Sequence, residues 1–261
     1  MITATGVELR AGPRLLLAGA SVRVGPGDRI GLVGRNGAGK TTLTKVLAGE
    51  ALPAAGTITR TGTVGYLPQD PRTGDLDVRA RDRILGARGL ADAAQRMSQA
   101  ADRMGSDSET ERERAMRSYE AATRDFESRG GYAADAEAAS ISASLGLPDR
   151  VLGQSLGTLS GGQRRRVELA RILFGGYDVL LLDEPTNHLD ADSIGWLRRF
   201  LATYPGGFVV ISHDAALLEA TVNTVLHLDA NRAEIDTYSI GLEALPAAAR
   251  DRRAPPATRA S

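Results

Sequence analysis

Residues 34–41 read GRNGAGKT and fit the pattern G-x-x-x-x-G-K-[ST], which limits the possible folds of this chain more than any other part of its sequence. An apolar run at 30–33 precedes the pattern, and apolar residues at helical spacing follow it up to residue 48. Glycines let the backbone N–H groups of such a loop converge on phosphate oxygens, and the next helix adds the positive end of its dipole. The pattern therefore predicts a strand, a phosphate-binding loop and a helix in succession.

The eight residues of this loop and the next residue, Thr42, are candidate phosphate ligands: Gly34, Arg35, Asn36, Gly37, Ala38, Gly39, Lys40, Thr41 and Thr42. We expect Lys40 to reach the β and γ phosphates of a nucleotide, and the hydroxyl of Thr41 to coordinate Mg²⁺. The chain has only two lysines, Lys40 and Lys45, which favours a chemical role for Lys40. The alternative, a glycine-rich turn without a ligand, does not explain why strand, loop, helix and lysine occur together.

A second apolar run, 179–182, ends in Asp183 and Glu184. Such a run is typical of a buried parallel strand, whose carboxyl end opens onto the crevice where α/β sheets bind ligands. We expect Asp183 to hold Mg²⁺ and Glu184 to orient or deprotonate an attacking water. A solvated loop entrance is the alternative interpretation, and the phosphate loop elsewhere in the chain makes it the weaker one.

Residues 159–163 read LSGGQ and indicate a second anion-binding device. Ser160 is a candidate N-cap, and the glycines after it expose backbone N–H groups at the positive end of a helix. The candidate phosphate ligands of this segment are Ser160, Gly161, Gly162 and Gln163. The three arginines at 164–166 point in different directions on a helix, so we interpret them as partly structural rather than as a nucleic-acid patch.

Bulk composition excludes several classes of function. Lys+Arg and Asp+Glu both number 32, so the formal net charge is zero, and we expect neither a nucleic-acid polycation nor direct DNA binding. The absence of cysteine excludes a disulfide framework, a thiol nucleophile and a thiolate metal site, and it favours a reducing, cytoplasmic compartment. The longest aliphatic run, 179–182, is far too short to span a membrane.

Strand and helix patterns alternate on both sides of a segment of different character. This alternation is typical of an α/β fold with a mostly parallel sheet. From about 78 to 158 the chain is rich in Ala, Arg, Asp, Glu and Ser with apolar residues at helical spacing, which predicts an inserted helical subdomain. We expect residues 1–240 to form one domain containing this insert, and the Pro/Ala/Arg-rich residues 241–261 to form a disordered tail.

Taken in order, these motifs resemble those of the ATP-binding cassette superfamily: Walker A at 34–41, the signature at 159–163, and Walker B at 179–183 followed by Glu184. The resemblance covers roughly residues 2–240. It implies a P-loop NTPase cassette with a mostly parallel core sheet, an N-terminal antiparallel β subdomain and an inserted helical subdomain. It also implies ATP and Mg²⁺ as cofactors and ATP hydrolysis as the activity.

The resemblance assigns two further side chains. Gln69, in YLPQD, looks like the Q-loop glutamine that touches Mg²⁺ and the attacking water, and His213, in VISHD, looks like the switch histidine that contacts the γ-phosphate. The implied catalytic residues are then Glu184, His213 and Gln69, and the implied metal ligands are Thr41, Gln69 and Asp183. In such proteins the signature caps ATP bound by the opposite cassette, so we expect a second cassette, as a homodimer or a partner half.

Smaller features indicate a branch of the superfamily. Residues 186–190 read TNHLD, where transporter cassettes usually carry a Ser-Ala type pair, and the stretch between Gln69 and Leu159 is longer than transporter cassettes generally use. Both features resemble the first cassette of ABC-F proteins, which act on the ribosome, some in antibiotic resistance and some in gating translation. The match fades after Gly241, which we interpret as truncation before the linker and second cassette.

Two alternatives stay open: an energising subunit of a membrane transporter, and a half cassette that binds ATP with little turnover. The ribosome is an expected partner only under the ABC-F interpretation. One residue departs from the family pattern, because Ala11 stands near the position where cassettes usually stack an aromatic ring on adenine. Since such a contact is worth about 0.5–2 kcal/mol, we expect the base to be bound less selectively.

Overall fold

Residues 1–70 and 75–239 are described by the computed structural model, so the predicted disordered tail at 241–261 lies outside the described residues. In chain order, the described strands and helices are β1 (Ile2–Ala11), β2 (Arg14–Val24), β3 (Arg29–Gly34), α1 (Lys40–Ala48), β4 (Ala55–Arg60), β5 (Val64–Leu67), α2 (Ala80–Leu85), α3 (Leu90–Arg103), α4 (Glu109–Ser128), α5 (Ala134–Ser144), α6 (Asp149–Leu152), α7 (Gly161–Phe174), β6 (Val179–Asp183), α8 (Ala191–Ala202), β7 (Gly207–Ile211), α9 (Ala215–Thr221), β8 (Thr224–Asp229) and β9 (Glu234–Ser239).

The N-terminal strands form a three-stranded antiparallel sheet in the order β2-β1-β4. Its central strand β1 alternates between buried and more exposed positions, with Ile2, Ala4, Val7 and Leu9 buried. This alternation is expected of an antiparallel sheet that packs only one face on the core. The predicted N-terminal antiparallel β subdomain is confirmed.

The second sheet has six strands in the order β5-β6-β7-β3-β8-β9 within the described part of the chain. The first five strands in this order, β5, β6, β7, β3 and β8, pair in parallel with their neighbours. All residues of β6 and β7 are buried because both faces of the sheet are covered. The edge strand β9 runs antiparallel to β8, since a short turn joins them and a parallel pairing would need a long crossover. The predicted mostly parallel core sheet is therefore confirmed.

The six-stranded sheet separates two hydrophobic clusters. Along β6, Leu180 and Leu182 belong to the cluster beneath α7, whereas Val179 and Leu181 belong to the cluster shared with α1 and the antiparallel sheet. Side chains of a strand alternate between its two faces, so one apolar run contributes to both clusters. The strand that ends in the two acidic residues is thus held from both sides.

Five helices, α2 to α6, lie in the segment predicted as a helical insert. The helices α3 and α4 pair with each other, while α2 and α5 pack against α7. In α4 only Ala115 and Ala122 are buried, which agrees with its charge-rich sequence. Of the helices in the described ranges, none is both long and apolar enough to cross a membrane. The limits of the domain at 1–240 and of the insert at about 78–158 stay predictions.

Candidate functional site

The carboxyl ends of four neighbouring strands meet at one edge of the six-stranded sheet. Leu67 pairs with Leu182, and Asp183 pairs with Ile211, so the segments after β5, β6 and β7 emerge side by side, with β3 next to β7. Ligands of α/β sheets bind outside this end of the strands. The structure therefore brings together the predicted site residues of four segments: Gln69, the pair Asp183 and Glu184, His213, and the loop at 34–41.

Backbone conformation explains the glycines of the loop at 34–41. Gly34 has φ 150°, and a Cβ atom there would lie 2.7 Å from the carbonyl oxygen of Leu228. Gly39 has φ 104°, and a Cβ atom there would lie 3.2 Å from Cβ of Leu16 on β2. Side chains rarely adopt such φ values, so the loop can take this path only with glycine at both positions.

The loop also folds around its lysine. Nζ of Lys40 donates to the carbonyl oxygens of Gly34, at 2.8 Å, and Arg35, at 3.2 Å. The N-cap of α1 is Gly39, which has no side chain to occupy the N–H groups of the first turn, and that turn contains no acidic residue. These N–H groups and the ammonium group together form an environment suited to phosphate oxygens.

The other predicted ligands of the loop line its outer turn. Arg35, Asn36 and Gly37 are exposed, whereas Ala38 is buried and its N–H donates to the carbonyl of Arg35 at 3.1 Å. Thr42 is half-buried in the first turn of α1. Residues 35–37 are thus accessible to a ligand from solvent.

The hairpin between β1 and β2 borders the loop. Ala11, which stands where an aromatic ring is expected, is exposed and pairs with Arg14 at the tip of this hairpin. A small side chain at an exposed tip leaves a base without a ring to stack on at this position.

Thr41 and Asp183 form the oxygen-rich part of the site. Oγ1 of Thr41 donates to Oδ2 of Asp183 at 2.7 Å, and Asp183 is 1% exposed. Burial raises the pKa of Asp183, while the hydrogen bond from Thr41 and the charges of Arg165 and Lys40 offset part of the rise. A bound cation would relieve this buried negative charge.

The donor set fits Mg²⁺ rather than a metal held entirely by side chains. In residues 1–70 and 75–239, no group of three His, Cys, Asp or Glu side chains could hold a metal ion. Mg²⁺ is usually bound by one or two carboxylates together with water and substrate phosphates, which is what Asp183, Thr41 and the adjacent phosphate loop provide.

Glu184 and His213 form the second part of the site. Nε2 of His213 lies 3.3 Å from Oε1 of Glu184, and the backbone N–H of His213 donates to Oε2 at 3.4 Å. Burial raises the pKa of Glu184, and His213 offsets part of the rise. Glu184 is buried while the His213 side chain is 73% exposed, so the pair connects the sheet edge to solvent. A carboxylate of raised pKa is suited to take a proton from water.

Gln69 reaches the site through β5. It follows Leu67, which pairs with Leu182, and it is exposed beside the end of β6. Its backbone carbonyl accepts a hydrogen bond from Nη1 of Arg165, and the residue is exposed.

The segment at 159–163 forms the N-terminus of α7 as a capping box. The N–H of Gln163 donates to Oγ of Ser160 at 3.2 Å, and the N–H of Ser160 donates to Oε1 of Gln163 at 2.9 Å. Gly162 faces His188, because a Cβ atom on Gly162 would lie 3.6 Å from Cβ of His188. The two side chains with polar groups therefore stabilise the helix start, and Gly161 and Gly162 leave its first turn uncovered.

Arg165, predicted from sequence to be partly structural, contacts the site directly. The side chain of Arg165 donates to carbonyl oxygens at the ends of both β5 and β6. Helical periodicity was a usable signal, because Arg165 shares the buried face of α7 with Leu169 and Ile172. Periodicity predicts that the side chain points inward, but it does not say which acceptors lie there.

Comparisons with known proteins agree with the predicted family. A family model described as "ABC transporter" matches residues 17–187. The tylosin resistance ATP-binding protein TlrC of Streptomyces fradiae is 39% identical over 230 residues, which are 86% of this chain and 41% of that protein. The energy-dependent translational throttle protein EttA of Haemophilus influenzae is 34% identical over 223 residues, 83% of this chain and 39% of EttA.

A human relative extends the comparison. ATP-binding cassette sub-family F member 3 of Homo sapiens is 35% identical over 227 residues, which are 87% of this chain and 31% of that protein. The chain thus spans between 31% and 41% of the length of these three curated relatives.

Solved structures share the fold. An ATP binding subunit of an ABC transporter aligns with a TM-score of 0.66 at 17% identity, over 92% of this chain and 90% of that one. A dimeric ATP-binding cassette in a post-hydrolysis state, bound to ADP and Pi, aligns with a TM-score of 0.65 at 17% identity, over 94% of this chain and all of that one. At this identity the likeness shows the fold alone, and the fold is the predicted one.

Proposed function

Because the chain belongs to the ABC transporter family of ATP-binding cassettes, and its relatives include a member of cassette sub-family F, we propose that it binds ATP with Mg²⁺ and hydrolyses it. The observation that carries the proposal is the pair of buried carboxylates at the end of β6. Asp183 accepts a hydrogen bond from Thr41 of the phosphate loop, and its neighbour Glu184 contacts His213.

In the proposed complex, the N–H groups of residues 34–42 and the ammonium of Lys40 hold the phosphates. Thr41, Asp183 and Gln69 would hold Mg²⁺ directly or through water, and the bound ion would neutralise negative charge on the phosphates. Glu184 orients a water molecule for in-line attack on the γ-phosphorus and accepts its proton. The bond from phosphorus to the water oxygen forms while the bond to the ADP oxygen breaks, so the products are ADP and inorganic phosphate.

His213 has two tasks in this scheme. Its ring lies 3.3 Å from Glu184, which orients the carboxylate, and its exposed position lets it contact the γ-phosphate. A positioned group of this kind lowers the barrier because the geometry is set before the reaction.

A second cassette completes the site in our proposal. Residues 34–41 and 159–163 begin two different helices, α1 and α7, and the chain has one of each motif. Ser160, Gly161, Gly162 and Gln163 would then contact ATP held by the opposite cassette, and vice versa. The dimeric cassette among the structural neighbours supports such an arrangement. The partner is either a second copy of this chain or a different cassette.

We further propose that this ATPase acts on the ribosome, in the cytoplasm. The relatives named for tylosin resistance and for a translational throttle support a role in antibiotic resistance or translation. The TNHLD sequence at 186–190 supports the same branch. Co-sedimentation with ribosomes rather than membranes tests this assignment, and membrane association would instead support the energising subunit of a transporter.

The decisive experiment for hydrolysis compares Glu184→Gln with Lys40→Ala. Glu184→Gln keeps the shape of the side chain and removes the base, so ATP hydrolysis should fall by about 10²–10⁴ with ATP binding preserved. Lys40→Ala should weaken binding itself. The exposed Glu219→Gln is the matched control and should leave both unchanged. Loss of ATP affinity as large as the loss of turnover in Glu184→Gln contradicts its role as base. Wild-type protein that binds ATP with little turnover supports the half-cassette alternative.

A further inference from the structure

Arg165 is a buried cation that joins two segments of the site. It is 6% exposed. Its Nη1 donates to the carbonyls of Gln69 and, at 3.2 Å, Pro68, and its Nη2 donates to those of Asp183, at 2.9 Å, and Glu184, at 2.8 Å. One guanidinium group thus pairs with four backbone acceptors at the ends of two neighbouring strands.

These carbonyls lie beyond the ladder between β5 and β6. The last pair of that ladder is Leu67 with Leu182, and Glu184 has φ 51°, a conformation that does not continue a strand. Buried carbonyl oxygens need other donors at such a point. A planar guanidinium presents several N–H groups in a rigid fork, so it can serve both segments at once. Arg165 thereby fixes the backbone that carries Gln69 and Glu184.

The helix that carries Arg165 also carries the LSGGQ segment. α7 starts after its N-cap Ser160, and Arg165 lies in its second turn. The helix is a continuous hydrogen-bonded unit, so a displacement at its first turn also moves Arg165. Under the proposed function, that first turn contacts the ATP of the opposite cassette, while Arg165 contacts the backbone of this cassette's own site.

We propose, on the premise of that function, that Arg165 is a positioning residue with two effects. It holds Gln69 and Glu184 in the arrangement required for hydrolysis, and it transmits to them whether the N-terminus of α7 has engaged the opposite nucleotide. Arg165 acts through backbone carbonyls and touches neither the nucleotide nor the attacking water.

Three variants separate positioning from general stability. Arg165→Met keeps an extended apolar side chain and removes all four donated hydrogen bonds, and Arg165→Lys restores the charge with fewer donors. Arg171→Met is the matched control, because Arg171 lies on the same helix and pairs with the buried Glu168 at 2.8 Å.

We expect Arg165→Met to lower kcat about 10- to 100-fold while the Kd of a fluorescent ATP analogue changes less than about threefold. Arg165→Lys should recover part of kcat. Arg171→Met should lower the unfolding temperature without a comparable loss of kcat. The positioning role is overturned if Arg165→Met weakens ATP binding as much as turnover, or if Arg171→Met lowers kcat equally.

Hydrogen exchange of the nucleotide-free protein supplies a readout that needs no turnover. In Arg165→Met, peptides covering 66–70 and 183–187 should exchange faster than in wild type, and they should not do so in Arg171→Met. If these peptides exchange at the same rate in Arg165→Met as in wild type, and the wild type hydrolyses ATP, the positioning role is overturned. The proposed function then still stands. If wild type hydrolyses no ATP, the proposed function fails, and the exchange of these peptides alone decides the role of Arg165.

Transmission along α7 has its own test. In Glu184→Gln protein, ATP should slow exchange of the peptide at 66–70 once cassettes pair. Adding Arg165→Met should remove this slowing while size-exclusion chromatography still shows the pair. Slowing of the same size in the double variant overturns transmission through Arg165, and so does a double variant that no longer pairs.

Discussion

Glu184 combines two conditions that oppose folding. Its φ of 51° is unusual for a residue with a side chain and costs on the order of 1–3 kcal/mol. Its carboxyl group is buried, which raises its pKa. The surrounding structure enforces both conditions, because the N–H of Glu184 donates to the carbonyl of Ile211 at 2.9 Å and the side chain contacts His213. Costs of this kind concentrate where a side chain has a chemical task.

The stability of the metal- and nucleotide-free protein should therefore depend on Glu184 and on pH. A carboxyl whose pKa is raised by folding stabilises the folded state only while protonated, so stability falls as pH rises through the raised pKa. Glu184→Gln should have the higher unfolding temperature at about pH 8, and this advantage should vanish toward the ordinary value of 4.5.

Thermal unfolding followed by circular dichroism at several pH values measures this difference. Glu219→Gln, which changes an exposed carboxyl, should show no such trend. A Glu184→Gln variant that is no more stable than wild type in mild alkali would contradict the argument from burial.

Gly162 is a position where folding does not require glycine, but binding of a phosphate would. A Cβ atom on Gly162 would lie 3.6 Å from His188, an ordinary contact, so the chain itself does not require glycine there. If the first turn of α7 receives a phosphate, an added methyl group obstructs it. Gly162→Ala should change the unfolding temperature by less than about 2 °C and lower hydrolysis at least about tenfold. Full activity in this variant would argue against a phosphate at this turn.

Among the elements, the hairpin of α3 and α4 is held at its base by reciprocal arginine contacts. Nη1 of Arg88 donates to the carbonyl of Arg129 at 3.4 Å, and Nη1 of Arg129 donates to the carbonyl of Arg88 at 2.8 Å. Gly89 and Gly130, the next residue in each case, have φ of 62° and 74°, which lets the chain turn at both points. The orientation of the hairpin is therefore set at its base rather than along its length.

Arg88→Ala should destabilise the protein far more than loss of a surface ion pair. Nε of Arg88 donates to the carbonyl of Phe174 at 2.7 Å, and Nη2 lies 2.6 Å from Glu137. Removing these donors should lower the free energy of unfolding by about 2–3 kcal/mol, since a buried carbonyl loses its partner. Arg81→Ala, which breaks the exposed pair with Asp135, should cost less than about 1 kcal/mol. Urea unfolding measures both, and equal effects would show that the Arg88 contacts contribute no more than a surface pair.

At the scale of the whole molecule, the sequence has one phosphate loop and one LSGGQ segment, and they lie at the starts of different helices. If the LSGGQ turn of each copy contacts the nucleotide held by the phosphate loop of the other copy, two copies can complete two sites in a symmetric pair held together by ATP. Turnover per chain should then rise with protein concentration, and Glu184→Gln with ATP should elute as a dimer from a size-exclusion column. Constant specific activity over about a hundredfold dilution, with a monomer peak in excess ATP, would show that the chain needs a different partner.

Local patterns predict much of this architecture. The apolar runs at 30–33 and 179–182 predict β3 and β6, and Ser160 predicts the N-cap of α7. The antiparallel pairing of β9 with β8 and the pairing of α3 with α4 depend on how whole elements pack, so no short pattern predicts these pairings. The roles of the site residues stay predictions that the variants above test.

Short-range information in the chain specifies the phosphate loop, the buried strands and the start of α7, because glycine conformations, apolar spacing and capping act over a few residues. Long-range packing decided that Thr41 bonds Asp183, 142 positions away, and that Arg165 pairs with carbonyls of two strand ends. Such contacts depend on which distant backbone groups come within hydrogen-bond distance. That is settled only when the parallel strands are in register, because only then do the ends of β5 and β6 lie beside α7.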